Sequence, residues 1–574
     1  MGLRDIEEPA VSVSEPAAGY SAGLRIASWV AVGVTALAVV LLGLRLRYGI
    51  DLFDESYYAA VSYRFALGMR PILDDLSGHQ FASFMTAPLV SWWLLLRGDL
   101  SGIILALRVV YFVAALSAGA VAFAFLRKLV DWRIALLATA CSLGFVPYLW
   151  FAPSYNTITM LALSVGTSLA GIALAQERQP WLLVLSGAAL GVAAVAYPTQ
   201  ALTVVAAIVL VGVLTRSWKL SALVASGAAL VAVVLLVALN DTLSGVSDLI
   251  AYNRFSTPWA GHLNFVSKLP VLARGVVGAT YLAPATYVLA VILGYRALGR
   301  RVPVPLTAAL PIVVLFAIHV DYGALRTLNA ATLMLLAVLV SGLGPIKTPQ
   351  RTALLYVFGV GTFSAALFAY TSATGVTAFG VGASAVGAAG LAVLLNNARE
   401  ALAEKLGAER ALMSAVVIGA ASTLVVLTLV WSFAVREGGS PWRLAQPATG
   451  PFAGLVTTPE FAARIDQMSA DLAEAGGDED RIYVYSAEPA AHLFSPARPV
   501  APYMFIGAEG RSEVQSQFVI DWLAKGTHRP TVVVVKSVIW DARGSAPRDY
   551  LMEYIEVNFL PVARGPEYVV LEAH

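Results

Sequence analysis

Five carboxylates crowd one short stretch of the chain: Asp51, Asp54, Glu55, Asp74 and Asp75. They lie just past an apolar run, Ile26 to Leu44, in a sequence that is otherwise mostly hydrophobic. Acidic side chains beside lipid are costly and call for a reason. The adjacent pair Asp54-Glu55 opens a helix-compatible, tyrosine-rich segment (Tyr57, Tyr58, Tyr63, then Arg64). Two carboxylates on a short helix at a membrane surface can take a proton from a hydroxyl, so an acceptor alcohol bound there would be activated by general base catalysis. The same acids also suit a plain solvated helix N-terminus, where the helix dipole favours negative charge. Downstream, Gly68-Met-Arg70-Pro71-Ile-Leu-Asp74 predicts a turn that ends the helix, because Gly and Pro break the pattern there.

The histidines add less. His79 follows the turn and is placed to touch an acceptor or a donor phosphate, or to be an ordinary loop residue. His262 reads as surface. His319 and Asp321 make an HxD pair at a span end, with no third ligand of suitable type nearby, so no metal site is expected; a divalent ion is compatible with the sequence but not indicated by it. The single cysteine, Cys141, sits in an apolar run and allows no intrachain disulfide.

The elements that must position these residues are membrane spans. The 574 residues are 58% hydrophobic and 13% charged, a balance foreign to soluble globular proteins. A span needs roughly 20 apolar residues. Apolar runs recur at about 26–46, 101–126, 134–152, 157–175, 181–197, 200–215, 220–239, 277–295, 303–320, 327–345, 352–371, 376–395 and 411–434, which gives 13 candidate helices. Residues 83–96 (SFMTAPLVSWWLLL) are too short and Trp-rich for a clear span and are expected at the interface. Gly- and Ala-rich stretches such as SGAALGVAAVA and ASGAALVAVV allow helices to approach closely.

Lysine and arginine set the expected orientation. With the N-terminus inside, the inside loops hold most of the basic residues, while the short outside turns hold only Arg326. That places the 47–82 loop, the 240–276 loop and the tail after Val435 outside. Residues 1–20 are polar and acidic, unlike a signal peptide, so the first run reads as an uncleaved anchor. The expected division is a cytoplasmic tail (1–25), a transmembrane region (26–435) with loops 47–100 and 240–276, and an extracytoplasmic α/β domain (436–574). The tail alternates helix-like 458–476, strand-like 481–486, helix-like 513–525, strand-like 531–537 and a terminal 567–573. It has no phosphate-binding Gly-rich loop. A net charge of +2 argues against a nucleic-acid partner.

These motifs together resemble the GT-C glycosyltransferases, and most of all the branch holding the lipid A aminoarabinose transferases and the protein O-mannosyltransferases. The resemblance rests on Asp54-Glu55 after the first span, the Gly68/Pro71/Asp74 turn, Pro88-Leu89 with Trp92-Trp93, and Arg108 early in the next span. It extends to the 13-span layout and the C-terminal α/β domain. It implies an inverting transfer of a sugar from a polyprenyl-phosphate donor to a glycan, lipid or protein acceptor at the outer face of the plasma membrane. Asp54 would be the base, and Glu55 would support it or contact the acceptor. The lipid phosphate would need cations, from among Arg64, Arg108, Arg254, Lys268, Arg274 and Arg326. Asp74 and His79 would line the substrate site. Two positions depart from the pattern. Tyr197, before Pro198, stands where relatives often carry lysine, and Asn156 stands where they often carry an acid. Both would sit in the substrate site, with a different donor cradle.

Two other functions fit a polytopic chain: a transporter or flippase of envelope glycan precursors, and a GT-C-like assembly subunit with altered chemistry. Transporters place ionisable groups near the bilayer midplane. Here the predicted spans are nearly free of charge, which favours an enzyme at the outer interface. The sequence names neither the sugar nor the acceptor.

Overall fold

The computed structural model describes residues 22–176, 179–255, 348–372, 378–432, 440–473, 475–477, 480–485, 488–504, 513–542 and 549–574. The candidate spans at 277–295, 303–320 and 327–345 lie outside the described residues, as do Lys268, Arg274, His262, His319, Asp321 and Arg326.

Uninterrupted apolar sequence gives long helices, because a chain in lipid must satisfy its backbone groups internally. Seven described helices are long and apolar enough to cross a membrane. In the order of the chain, α1 is Ala22–Arg45, α2 Asp54–Ala66, α3 Gln80–Arg97, α4 Ile103–Leu126, α5 Trp132–Leu143, α6 Tyr155–Gln176, α7 Trp181–Ala196, α8 Ala201–Thr215, α9 Trp218–Ala238 and α10 Val246–Phe255. Beyond the undescribed stretch come α11 (Thr348–Thr371), α12 (Phe379–Ser384), α13 (Gly387–Leu406) and α14 (Ala408–Ser432). The chain is a multi-pass membrane protein.

Two expected spans are not single helices. The run at 134–152 makes a helix only to Leu143; a 3-10 turn at Pro147–Leu149 follows, with Tyr148 and Leu149 at φ 55° and 59°. The run at 376–395 splits into α12 and α13 around Ala385-Val386. Hydropathy reports apolar length and is blind to such breaks. The stretch expected at 83–96 is a longer helix, α3, and it packs against α2.

Small residues do allow close approach. A Cβ on Gly187 would lie 1.9 Å from the Val224 carbonyl oxygen, and one on Gly227 the same distance from that of Val184. Any side chain at either position would push α7 and α9 apart.

The C-terminal part is an α/β unit. Its large sheet contains β3 (Arg481–Tyr485), β4 (Arg498–Pro499), β5 (Val532–Lys536), β6 (Phe559–Arg564) and β7 (Tyr568–Ala573), in the order β4-β3-β5-β7-β6. A two-stranded ribbon of β1 (Gln446–Pro447) and β2 (Val456–Thr457) precedes it. Strands β4, β3 and β5 are parallel, while β7 pairs antiparallel with β5 and β6 with β7. The parallel core strands read as near-continuous apolar runs, VVVV in β5, because helices cover them. Those helices are α15 (Pro459–Ala473), α16 (Glu513–Ala524), α17 (Ser537–Asp541) and α18 (Tyr550–Asn558). The sequence expectation missed β1, β2, β4, β6, α17 and α18.

This unit is fastened to the membrane-proximal loop rather than tethered beside it. Val456 donates its N–H to Arg47 O (2.7 Å) and accepts from Gly49 N (3.0 Å); Ala490 N donates to Leu52 O (3.3 Å), and Leu76 N to Pro502 O (2.8 Å). One hydrophobic core runs from Ile50, Tyr57 and Leu76 into Phe452, Tyr483 and Val500.

Candidate active site

The site begins with a sharp turn out of α1. Asp51 is buried, and its carboxylate accepts N–H bonds from Phe53 (2.9 Å), Asp54 (3.3 Å) and Glu55 (3.5 Å). It therefore satisfies the exposed amides that open α2, the role a capping acid plays. Gly68 at φ 85° closes the same helix, as its sequence predicts. Asp54 and Glu55 thus sit in the first turn of a helix held at both ends.

The two acids have opposite surroundings. Glu55 is 3% exposed and forms a two-pronged ion pair with Arg108 of α4, Nε to Oε1 at 2.6 Å and Nη2 to Oε2 at 2.5 Å. Arg108 spends its other donors on the carbonyls of Leu46 (2.7 Å) and Gly49 (2.9 Å). Arg45, also buried, bonds Val430 O (3.2 Å) and Tyr48 O and faces the Phe151 ring. This lattice locks the end of α1 to α2 and α4.

Asp54 is half-buried and lies among tyrosines. Its charge reaches the hydroxyls of Tyr58 and Tyr503, both held above the usual tyrosine range mainly by burial. Tyr58 meets Tyr155 at 5.9 Å between ring centroids and Tyr57 at 5.1 Å; Tyr57 in turn meets Tyr503 at 5.7 Å. Tyr503 comes from the C-terminal unit and Tyr155 from the start of α6.

The turn after α2 repeats the pattern. Asp75 is buried against Arg64 (3.2 Å), and burial disfavours both charges, lowering the guanidinium and raising the carboxyl. Arg64 also bonds Asp74 O. Burial pushes the Asp74 carboxyl up, but His528, the Arg70 amide and the nearby arginines outweigh it and hold it below the usual carboxylate range. The contacts are the Arg70 N–H at 2.6 Å, the Arg70 side chain at 3.6 Å and His528 Nε2 at 3.4 Å. Ile72, inside this turn, has φ 69°, a left-handed conformation that a β-branched residue rarely adopts. Its N–H is taken by Gln80 Oε1 at 2.8 Å.

The remaining expected residues form one aromatic wall. His79 stacks on Tyr155 at 4.1 Å, and burial brings its imidazole down to about 4. Tyr197 stands 5.6 Å from His79 and 5.1 Å from Tyr155, stacks on Phe368, and shares a 2.6 Å hydrogen bond with Thr371. Asn156 is buried next to Tyr155 at the start of α6. Asp54, Asp74, His79, Asn156 and Tyr197 are thus gathered around α2 and α3, whereas Glu55 and Arg108 turn to each other. Arg254 falls on α10, and its side chain lies outside the described residues. Tyr58, Tyr155, Tyr503 and His528 were missed. The density of tyrosine after Asp54 was a signal for the first; nothing local marks a residue some 450 positions away. Among the described residues, no group of three or more His, Cys, Asp or Glu is placed to share a metal ion.

The chain is similar to ArnT from Cupriavidus metallidurans. In the apo state that protein matches 95% of this chain and 98% of its own, at 16% identity and TM-score 0.43. Bound to undecaprenyl phosphate it matches 94% and 97%, at 16% identity and TM-score 0.42. The Archaeoglobus fulgidus oligosaccharyltransferase in its apo form matches 88% of this chain and 70% of its own, at 13% identity and TM-score 0.47. No protein-family model matches the chain. No curated protein matches it either.

Proposed function

We propose that the protein is an inverting glycosyltransferase that moves a sugar from a polyprenyl-phosphate donor to an acceptor at the extracytoplasmic face of the plasma membrane. The observation that carries this reading is the place of Asp54, half-buried in the first turn of α2 and within electrostatic reach of the Tyr58 and Tyr503 hydroxyls. Asp51 caps α2, Glu55 is bound to Arg108, Asp75 to Arg64, and Asp74 to Arg70 and His528. Asp54 is half-buried on a helix fixed at both ends, and its charge reaches the Tyr58 and Tyr503 hydroxyls. A general base needs that combination of a held carboxylate and access for a hydroxyl.

In the reaction, the acceptor hydroxyl gives its proton to the Asp54 carboxylate as its oxygen bonds the anomeric carbon of the donor sugar. The bond from that carbon to the phosphate oxygen breaks on the opposite face, and the lipid phosphate leaves with the electron pair. Inversion follows from single displacement, with no covalent enzyme intermediate. The departing phosphate calls for positive charge. Arg64 and Arg108 already neutralise buried carboxylates, so Arg254 and Arg326 are the preferred candidates for that role. The wall of His79, Tyr155 and Tyr197 would hold the donor sugar by ring stacking and hydroxyl contacts, with Asn156 behind it.

Ion-paired Glu55 and Arg108 act as positioning residues that set the angle of α2. Similarity to ArnT, which has been solved with undecaprenyl phosphate, points the same way for the donor lipid. The test is Asp54→Asn in purified protein supplied with polyprenyl-phosphate sugars and envelope extract. Transfer should fall by about a hundredfold or more while insertion into membrane and folding persist. Transfer at the wild-type rate would refute Asp54 as base.

A further inference from the structure

The C-terminal sheet has a topological reversal in its parallel half. From β3 the chain goes to one side to form β4, then crosses to the other side to form β5. In open α/β sheets, ligands settle outside the carboxyl ends of strands at such a reversal. Here those ends face the Asp54 loop. The 3-10 turn after β3 (Pro489–Leu493) packs on α2 through the Ala490–Leu52 hydrogen bond. The segment after β4 gives Pro502 O to Leu76 and the ring of Tyr503 to Tyr57.

The polar groups at this edge are unusual. Glu488 is 1% exposed, and its Oε1 receives both Arg464 and Lys536, the latter at 3.4 Å. Among the described residues its Oε2 has no hydrogen-bond partner, and neither does Arg464 Nε nor the hydroxyl of Tyr568, which begins β7 opposite Lys536. The charges of Glu488 and Arg464 both reach that Tyr568 hydroxyl. Such buried, unpaired groups are costly unless something pairs with them. The cations above them reach the surface, Arg464 with 32% and Lys536 with 19% of the side chain exposed. Lys536 has a flexible stem and a long contact, so it can turn aside and uncover the carboxylate.

We propose that this edge holds the saccharide portion of the acceptor, an inference that rests on the sugar-transfer reading above. An open acceptor on Glu488 beside an open donor on Arg464 matches a hydroxyl, which both gives and accepts a hydrogen bond. Vicinal hydroxyls of a sugar would satisfy Glu488, Arg464 and Tyr568 together. Half-buried Tyr503, which follows β4 and meets Tyr57 of α2, offers an aromatic face between this edge and α2. A phosphate or carboxylate ligand fits less well, because it would compete with Glu488 for the same two cations.

The test uses the full chain in lipid nanodiscs and the linear tetrasaccharides of mannose, galactose and arabinose as probes, with binding followed by calorimetry. At least one should bind saturably. Glu488→Gln and Tyr503→Ala should each weaken it by about tenfold or more, and Arg464→Lys, which keeps the charge but loses the planar fork, should weaken it too. Thermal melts of each variant separate lost binding from lost folding. Absence of saturable binding by all three probes, or equal affinity in Glu488→Gln and Tyr503→Ala, overturns the proposal. The catalytic reading fails by a different result, retained transfer in Asp54→Asn, so either idea can fall alone.

Discussion

The loop between α1 and α3 uses one pattern twice. At Asp54-Glu55 and again at Asp74-Asp75, the second acid is buried against an arginine and the first stays nearer the surface. The buried partners come from different places: Arg108 is on the next long helix, while Arg64 belongs to α2 itself. The first acids differ more. Asp74 is claimed by the Arg70 amide, the Arg70 side chain and His528 of the C-terminal unit. The Asp54 charge reaches tyrosine hydroxyls. Two nearly identical dipeptides therefore have different surroundings, one clamping a turn to a distant unit and the other setting a half-buried carboxylate within electrostatic reach of tyrosine hydroxyls. Charge spacing makes both; neighbours from elsewhere in the chain separate them.

The sharpest way to break that distinction is to neutralise each first acid. Asp54→Asn should lower transfer by about 10²–10⁴-fold, the usual worth of a general base. Asp74→Asn should cost less than about tenfold, since it removes a clamp and not the base. Equal losses, measured with labelled donor in nanodiscs, would show that the two sites are not functionally distinct.

The second acids test the parallel. Glu55→Ala strands Arg108, and Asp75→Ala strands Arg64, each a buried charge without its partner. Each change should destabilise the protein by about 3–5 kcal/mol. Unfolding midpoints in detergent would check this, and an unchanged midpoint in one of the two would break the symmetry.

A smaller, pH-dependent effect lies behind Arg64. His492, in the turn packed on α2, is 1% exposed, and burial with the Arg64 charge brings its imidazole down to about 3. Its folded value is below the unfolded value of about 6.5. The unfolded chain therefore binds the proton first, so stability is full above about pH 6.5 and falls as the pH drops toward about 3. Between pH 7 and pH 5 the loss is about 2 kcal/mol, and His492→Gln should remove that part of the dependence. Melts at the two pH values would show it. The smallest effect is His528→Ala, which removes one contact to a half-buried Asp74. It should cost under about 1 kcal/mol and raise amide exchange in residues 70–79.

Much of this architecture was legible from patterns within short windows. Long apolar runs gave the helices because lipid leaves the backbone no other partner. Gly68 and Pro71 marked the end of α2, and the change to alternating short elements after residue 440 marked the α/β unit. What failed was also local. Nothing in hydropathy revealed the stop at Leu143 or the break at Ala385-Val386. Two-residue β4 carries too few side chains to show a period. At the site, the residue types near Asp54 were readable, and so was the chance that His79, Asn156 and Tyr197 would join it. Their stacking with Tyr155 was not, because ring contacts depend on how α3, α6 and α7 pack.

The sequence by itself determined that the chain crosses a membrane many times, that a carboxylate-rich helix follows the first crossing, and that an α/β unit ends the chain. These follow from composition and from periodicity over a dozen residues, where backbone hydrogen bonding and solvent preference dominate. Only the tertiary structure decided that Glu55 belongs to Arg108, that Asp75 belongs to Arg64, and that the Asp54 charge reaches Tyr503. Opposite charges excluded from water pair with whichever partner the packing brings within about 3 Å, and sequence distance has no bearing on that choice.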